Sequence, residues 1–215
     1  MRLQKMGHAC VRLQRDDDAA TLVIDPGELT EPEAMAGASA VLITHEHVDH
    51  LDEAKLDRAF EADSELVVWT NHAVADRLSR YRGRVRGVGA GDGFSAAGFD
   101  VRVYGELHAV IHPDLPRVAN VGFLVDGEVF HPGDAFTVPD RPVGTLLAPT
   151  NAPWMKAAEM IDYVREIRPH RAYSVHDGLL NDFGLGLVDG LLARLADETG
   201  ADCRRLRPGE SVRTG

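Results

Sequence analysis

The most constraining feature of this chain is a short apolar run, Val41 to Thr44, that leads without a break into His45-Glu46-His47-Val48-Asp49-His50. A run of that length bounded by polar residues reads as a buried strand, and the stretch from about Asp52 to Phe60 reads as a helix. Three histidines and an aspartate therefore crowd the point where the chain leaves a sheet and enters a helix. Side chains alternate along an extended segment, so His45 and His47 point the same way and both imidazoles can hold one metal. Asp49 and His50 come after the turn and can face a second metal nearby. Four ligand-type side chains in six positions are more than a solvated loop requires, and the run reads as metal-binding.

The rest of the first half is a series of short apolar runs, Ala9 to Leu13, Thr21 to Ile24 and Leu66 to Trp69, which predict further strands. Asp16-Asp17-Asp18 reads as a solvated hairpin turn between the first two. A second helix opens at Asn71, a good N-cap, and runs through Val74, Leu78 and Tyr81. From Val85 to Val129 the pattern is β-like again, with Gly-rich turns at Gly87 to Gly93 and Ala97-Gly98 and a tight hairpin at Asp126-Gly127. The second half holds an apolar run at Val143 to Leu147 and a strand around Tyr173 to Val175. Its helices carry Ala157, Met160, Ile161, Val164 and Ile167, and then Leu187, Val188, Leu191, Leu192 and Leu195, on one face each. Strands in two groups, each followed by helices, predict two sheets packed face to face with helices outside, a four-layer αββα sandwich of the α/β class.

The 215 residues read as one domain, 1–215. A formal charge of -11 disfavours nucleic acid and anionic membrane surfaces as partners, since both are bound through Lys and Arg, whereas it suits cations. Two cysteines, Cys10 and Cys203, are too few for a disulfide framework, and the N-terminus lacks the apolar core of an export signal. No apolar stretch approaches the roughly 20 residues needed to span a bilayer. A soluble cytoplasmic protein is expected, with a homo-oligomer compatible.

The run at 45–50 matches the His-x-His-x-Asp-His signature, and the chain resembles the metallo-β-lactamase superfamily over nearly its whole length. The resemblance implies that Asp25, in Leu22-Val23-Ile24-Asp25-Pro26-Gly27, supports the ligands from behind. It implies a first metal held by His45, His47 and His108, a second by Asp49, His50 and His176, and Asp134 bridging them with a solvent hydroxide. His112, four residues past His108, is the alternative third histidine; His108 is preferred because it directly follows a β-like run. The roles of His8 and His131 stay open, and His72 and His170 read as solvated or capping. Gly7-His8-Ala9, the short length, and His176 followed by Gly178 and Asn181 look most like the lactonase-like branch that includes ascorbate-phosphate lactonases. The chain is too short for the inserted domain of the RNA-processing nucleases or the helical substrate domain of the glyoxalase II type.

What the resemblance implies is a metal-dependent hydrolase acting on a small molecule, a lactone or other ester, with two divalent ions. Zinc is the leading candidate, and manganese, iron and nickel suit the same ligands. Asp49 would orient the hydroxide and relay its proton, while Asp25 and Thr44 steady the ligand loop. Asn151, Trp154 and Met155 are candidate pocket residues, and Arg204, Arg205 and Arg207 read as a solvated edge. Two other readings are a non-catalytic metal- or anion-binding protein and an iron-dependent redox enzyme. His47 argues against the last, because flavodiiron oxygen reductases resemble this family but carry Glu at that place.

Overall fold

The computed structural model describes residues 1–15, 20–81 and 83–215. The turn expected at Asp16-Asp17-Asp18 lies outside them. The chain begins with β1 (Arg2–Lys5), β2 (Val11–Gln14), β3 (Thr21–Ile24) and β4 (Ala40–Ile43), followed by α1 (Glu53–Ala62). Next come β5 (Val67–Asn71), α2 (His72–Arg77) and β6 (Val85–Val88). The second sheet is supplied by β7 (Gly93–Ala96), β8 (Phe99–Tyr104), β9 (Gly122–Val125), β10 (Val129–His131) and β11 (Thr145–Pro149). The chain continues through α3 (Ala157–Ile167), β12 (Arg171–Val175), α4 (Asp182–Thr199), β13 (Asp202–Arg204) and β14 (Ser211–Arg213).

The strands form two seven-stranded sheets, ordered β14-β1-β2-β3-β4-β5-β6 and β13-β12-β11-β10-β9-β8-β7. In the first, β3 to β6 run parallel and the rest antiparallel; in the second, β10 to β13 run parallel and β7 to β10 antiparallel. Burial follows from this. β4 is parallel to both neighbours and buried along its whole length, as a strand covered on both faces must be, whereas β8 alternates Phe99, Val101 and Val103 inward with Asp100 and Arg102 outward.

Three apolar clusters define the layers. Leu13, Leu22, Leu42, Phe99, Phe123 and Tyr173 fill the space between the sheets. Val23, Val41 and Val68 face Leu56, Phe60 and Val74 of α1 and α2 on one outer side, and Leu146 and Ala172 face Met160, Val164 and Leu192 of α3 and α4 on the other. This is the αββα sandwich expected from the strand and helix pattern. Asp52 caps α1 by accepting from the amides of Ala54 and Lys55, both at 3.0 Å. Among the described residues no helix is long and apolar enough to cross a membrane.

Several boundaries differ from those the sequence suggests. The strand expected from Ala9 starts at Val11, because the Cys10 amide closes a turn onto the Gly7 carbonyl at 2.8 Å and His8 adopts a left-handed φ of 31°. The helix expected to run through Tyr81 stops at Arg77, with a separate 3-10 turn at Ser79–Tyr81. The strands β1, β13 and β14 are four, three and three residues long, too short for periodicity to reveal. Asn71 does cap its helix, through the Val74 amide at 3.0 Å, and Asp126 and Gly127 both take positive φ, the backbone of a tight two-residue turn.

Candidate metal centre

The parallel strands of both sheets end at one rim, and the candidate residues emerge there: Asp25 after β3, Thr44 and His45 after β4, Asp134 three residues past β10, and His176 after β12. Ligand sites of sheet proteins gather at such carboxyl ends because the loops leaving them are free to vary. The structure brings all seven residues of the expected set together. His45, His47, His108 and Asp134 form one group whose ligand atoms lie within 4.8 Å of one another, and His8, Asp49, His50 and His176 form a second. Asp134 stands between them, with Oδ2 at 3.3 Å from His108 Nε2 and 3.1 Å from His176 Nε2, and Oδ1 at 3.1 Å from His50 Nε2. His112 belongs to neither group; it is exposed and its Nδ1 accepts from the Asp114 amide.

The backing of each histidine decides which nitrogen faces inward. His50 Nδ1 donates to Asp25 Oδ2 at 2.7 Å, His108 Nδ1 to the Ala109 carbonyl at 2.6 Å, and His176 Nδ1 to the Asn151 carbonyl at 2.5 Å. Thr44 Oγ1 gives its only proton to Asp25 Oδ2 at 2.7 Å and so accepts from His45 Nδ1 at 2.9 Å. In all four rings the outer nitrogen is spent as a donor, which leaves the Nε2 lone pair for another partner. Asp25 also takes the Thr44 amide at 2.7 Å, so one buried carboxylate orients both β4's exit and His50. Gly27 lets the Asp25 turn press against the ligand loop, since a Cβ there would overlap the Asp49 carbonyl.

The inward atoms fit a bound cation. Nε2 of His50, His108 and His176 and Oδ1 of Asp134 are buried without a hydrogen-bond partner, although His50 Nε2 and Asp134 Oδ1 are only 3.1 Å apart. They aim at shared space rather than along a donor–acceptor line. Buried polar atoms are rarely left so, and four in one spot call for a ligand. His45 Nε2 and His47 Nδ1 are 3.1 Å apart, near the separation of about 3.3 Å for two nitrogens each about 2.0–2.1 Å from one tetrahedral ion. Burial pushes His45 well below the ordinary imidazole range and lowers His47 too, which keeps both neutral, as ligands must be. Burial also works against charge on His50 and His176, yet Asp134 with Asp25 raises the first ring well above the ordinary range and Asp134 with Asp49 raises the second to about 9, so a proton on either Nε2 competes with a cation for the same space. Asp134 and Asp49 favour positive charge in their midst, and a set of imidazoles and carboxylates is a donor set for divalent metals.

His8 joins the site through contacts with residues distant in sequence, which its own neighbourhood does not reveal. Its ring is buried, and the Gly178 amide donates to Nδ1 at 3.0 Å, so the neutral ring carries its proton on Nε2 and donates to Asp49 Oδ2 at 3.1 Å. Burial lowers its pKa, in keeping with a neutral ring. His8 therefore holds Asp49 rather than offering a lone pair. Asn120 and Trp154 hold Asp134 in the same way: Asn120 Oδ1 accepts the Asp134 amide at 3.0 Å, and the Trp154 indole donates to Asp134 Oδ2 at 2.9 Å. His131 is structural, donating from Nε2 to the Ala9 carbonyl and accepting the Gly133 amide on Nδ1. Of the three candidate pocket residues, Trp154 lines the cavity, Asn151 contributes its carbonyl to His176, and Met155 packs against the α3 side of the core. Arg204 pairs with Asp202 and Glu210, and Arg205 with Asp189, away from the site.

The chain is 36% identical over 220 residues to Protein Rv0786c of Mycobacterium tuberculosis, with 100% of both chains covered. It is 26% identical over 230 residues to a protein named UPF0173 metal-dependent hydrolase from Natranaerobius thermophilus, covering 99% of each. Among solved structures, Igni18, described as a novel metallo hydrolase of Ignicoccus hospitalis, shares the fold with a TM-score of 0.75 at 20% identity, over 100% of this chain and 97% of that one. The sequence model described as Beta-lactamase superfamily domain matches residues 2–176, from β1 to the last candidate histidine. The chain therefore belongs to the beta-lactamase superfamily domain family.

Proposed function

We propose that this chain is a metal-dependent hydrolase, a single domain over residues 1–215 that holds two divalent cations and cleaves a lactone or other small ester in the cytoplasm. The observation that carries the reading is the group of buried, partnerless Nε2 and Oδ1 atoms converging between His50, His108, His176 and Asp134. The name of the Natranaerobius relative supports the same reading. His45, His47 and His108 would hold one cation and Asp49, His50 and His176 the other, with Asp134 between them. Zinc heads the metals that suit these donors, ahead of manganese, iron and nickel.

A divalent pair, when bound, supplies hydroxide at neutral pH and polarises the carbonyl to be attacked. The chain's own residues do the positioning. Asp25 and the carbonyls of Ala109 and Asn151 lock the imidazole tautomers. Asp49, which lines the cavity and is steadied by His8, would take up the proton released in the attack. Trp154 and Asn120 keep Asp134 in place. The direct test is Asp134→Ala with elemental analysis and a panel of lactones and esters. The variant is expected to lose metal and all turnover, and full activity with unchanged metal content refutes the assignment. Stoichiometric iron with oxygen consumption would move the protein to redox chemistry, and tight anion binding without turnover to a binding role.

A further inference from the structure

The wall of the cavity over the candidate centre, about 230 Å³ in volume, is divided sharply by chemistry. Its five polar residues all belong to the proposed ligand set, and everything else on it is apolar: Ile111, Pro153, Trp154 and Leu179. The one polar side-chain atom of that apolar part, the Trp154 indole N–H, is spent on Asp134 Oδ2 at 2.9 Å. Among the described residues no lysine or arginine lines the cavity. Arg117, on the loop after His108, directs its Nε to the His108 carbonyl at 2.8 Å, and Arg77, near Glu46, is paired with Glu53 at 2.7 Å. Ile111 and Leu179 are large apolar side chains left 40% and 61% exposed at this mouth, where an apolar ligand would cover them. Specific sites supply a charge or a hydrogen bond for each polar group they recognise, because a buried group left unpaired costs binding.

Resting on the hydrolase reading, we infer that the substrate is a small, uncharged ester or lactone whose acyl arm is apolar, and that substrates with an anionic arm are disfavoured. The reacting carbonyl would face the proposed centre while the arm lies on Ile111, Trp154 and Leu179. In the reaction one water oxygen bonds to the carbonyl carbon, the acyl–oxygen bond breaks, the alcohol leaves with a proton, and the acid's proton passes to solvent.

The test compares 4-nitrophenyl pentanoate with mono-4-nitrophenyl glutarate, which share the leaving group and chain length and differ in a terminal carboxylate. Metal-loaded protein should favour the pentanoate by tenfold or more in kcat/KM, and a Leu179→Lys, Ile111→Lys double variant should narrow or invert that ratio. Equal or better turnover of the glutarate overturns the inference and leaves the hydrolase reading standing. Binding of pentanohydroxamate and of glutaric monohydroxamate by calorimetry separates the two claims. Tenfold tighter binding of the neutral probe with no ester turned over keeps the pocket chemistry and rejects hydrolysis, and equal affinities reject the pocket chemistry whatever the turnover.

Discussion

His8 Nε2 donates to Asp49 Oδ2 at 3.1 Å across 41 positions of sequence, and the opposite nitrogen of the same ring is fixed by the amide of Gly178, 170 positions away. One side chain thus ties the first turn of the chain to both loops of the second proposed half-site. Residues that back a ligand typically govern metal affinity or activity by about 10–100-fold. His8→Ala is expected to lower second-site metal affinity and kcat/KM within that range, and His8→Gln, whose amide can still donate to Asp49, to recover part of both. Metal titration beside kinetics checks this; unchanged affinity and activity in His8→Ala would rule the role out.

Asp25 accepts three bonds, from the Thr44 amide, the Thr44 hydroxyl and His50 Nδ1, each at 2.7 Å, and it is fully buried. Asp25→Ala strands three donors at once. With about 1–3 kcal/mol for each buried group left unsatisfied, the variant should lose several kcal/mol in urea unfolding with the m-value unchanged. A loss below about 1 kcal/mol would mean that water or a neighbour replaces the carboxylate.

Chelation offers a measure that does not depend on substrate. A ligand at 100 times its Kd adds about 2.7 kcal/mol to the folded state, and for a chain of this length about 1 kcal/mol moves Tm by about 2–4 °C. Stripping the metal should lower Tm by several degrees and re-addition should restore it, with Asp134→Ala indifferent to both. An unchanged Tm after complete metal removal would contradict the proposed centre.

Away from the site, the Tyr173 hydroxyl donates to Asp202 Oδ2 at 2.7 Å, and burial, then this bond, raise its pKa to about 12. An unfolded tyrosine titrates near about 10. Because the folded value is the higher one, the contribution is intact below about pH 10 and is lost as pH rises through about 12. The urea midpoint of the unmodified chain should therefore fall more steeply between pH 10 and 12 than that of Tyr173→Phe. Parallel slopes would remove the raised pKa.

What could be read from the residues was what is encoded locally. The buried run ending at Thr44 and the Asn71 cap follow from adjacent side chains, and both hold in three dimensions. The gathering of His108, Asp134 and His176 about the 45–50 loop was legible only through family resemblance, since nothing in their spacing reports that four strands end at one rim. His8 was not legible because its meaning lies in two contacts distant in sequence, and its left-handed backbone turned an apparent strand start into a loop. Trp154 shows the reverse. A tryptophan beside a helix start suggests packing, and here its ring packs on Phe136 while its N–H reaches Asp134.

The pairing of β14 with β1 carries a kinetic implication. Arg2 stands opposite Arg213 and Gln4 opposite Ser211, so the outermost ladder of the first sheet cannot close until the second sheet and α4 have been laid down. Such distant closure is slow, because loop entropy must be overcome before the contact repays it. A chain emerging from the ribosome would carry β1 with one edge bare until residues 211–213 have followed it.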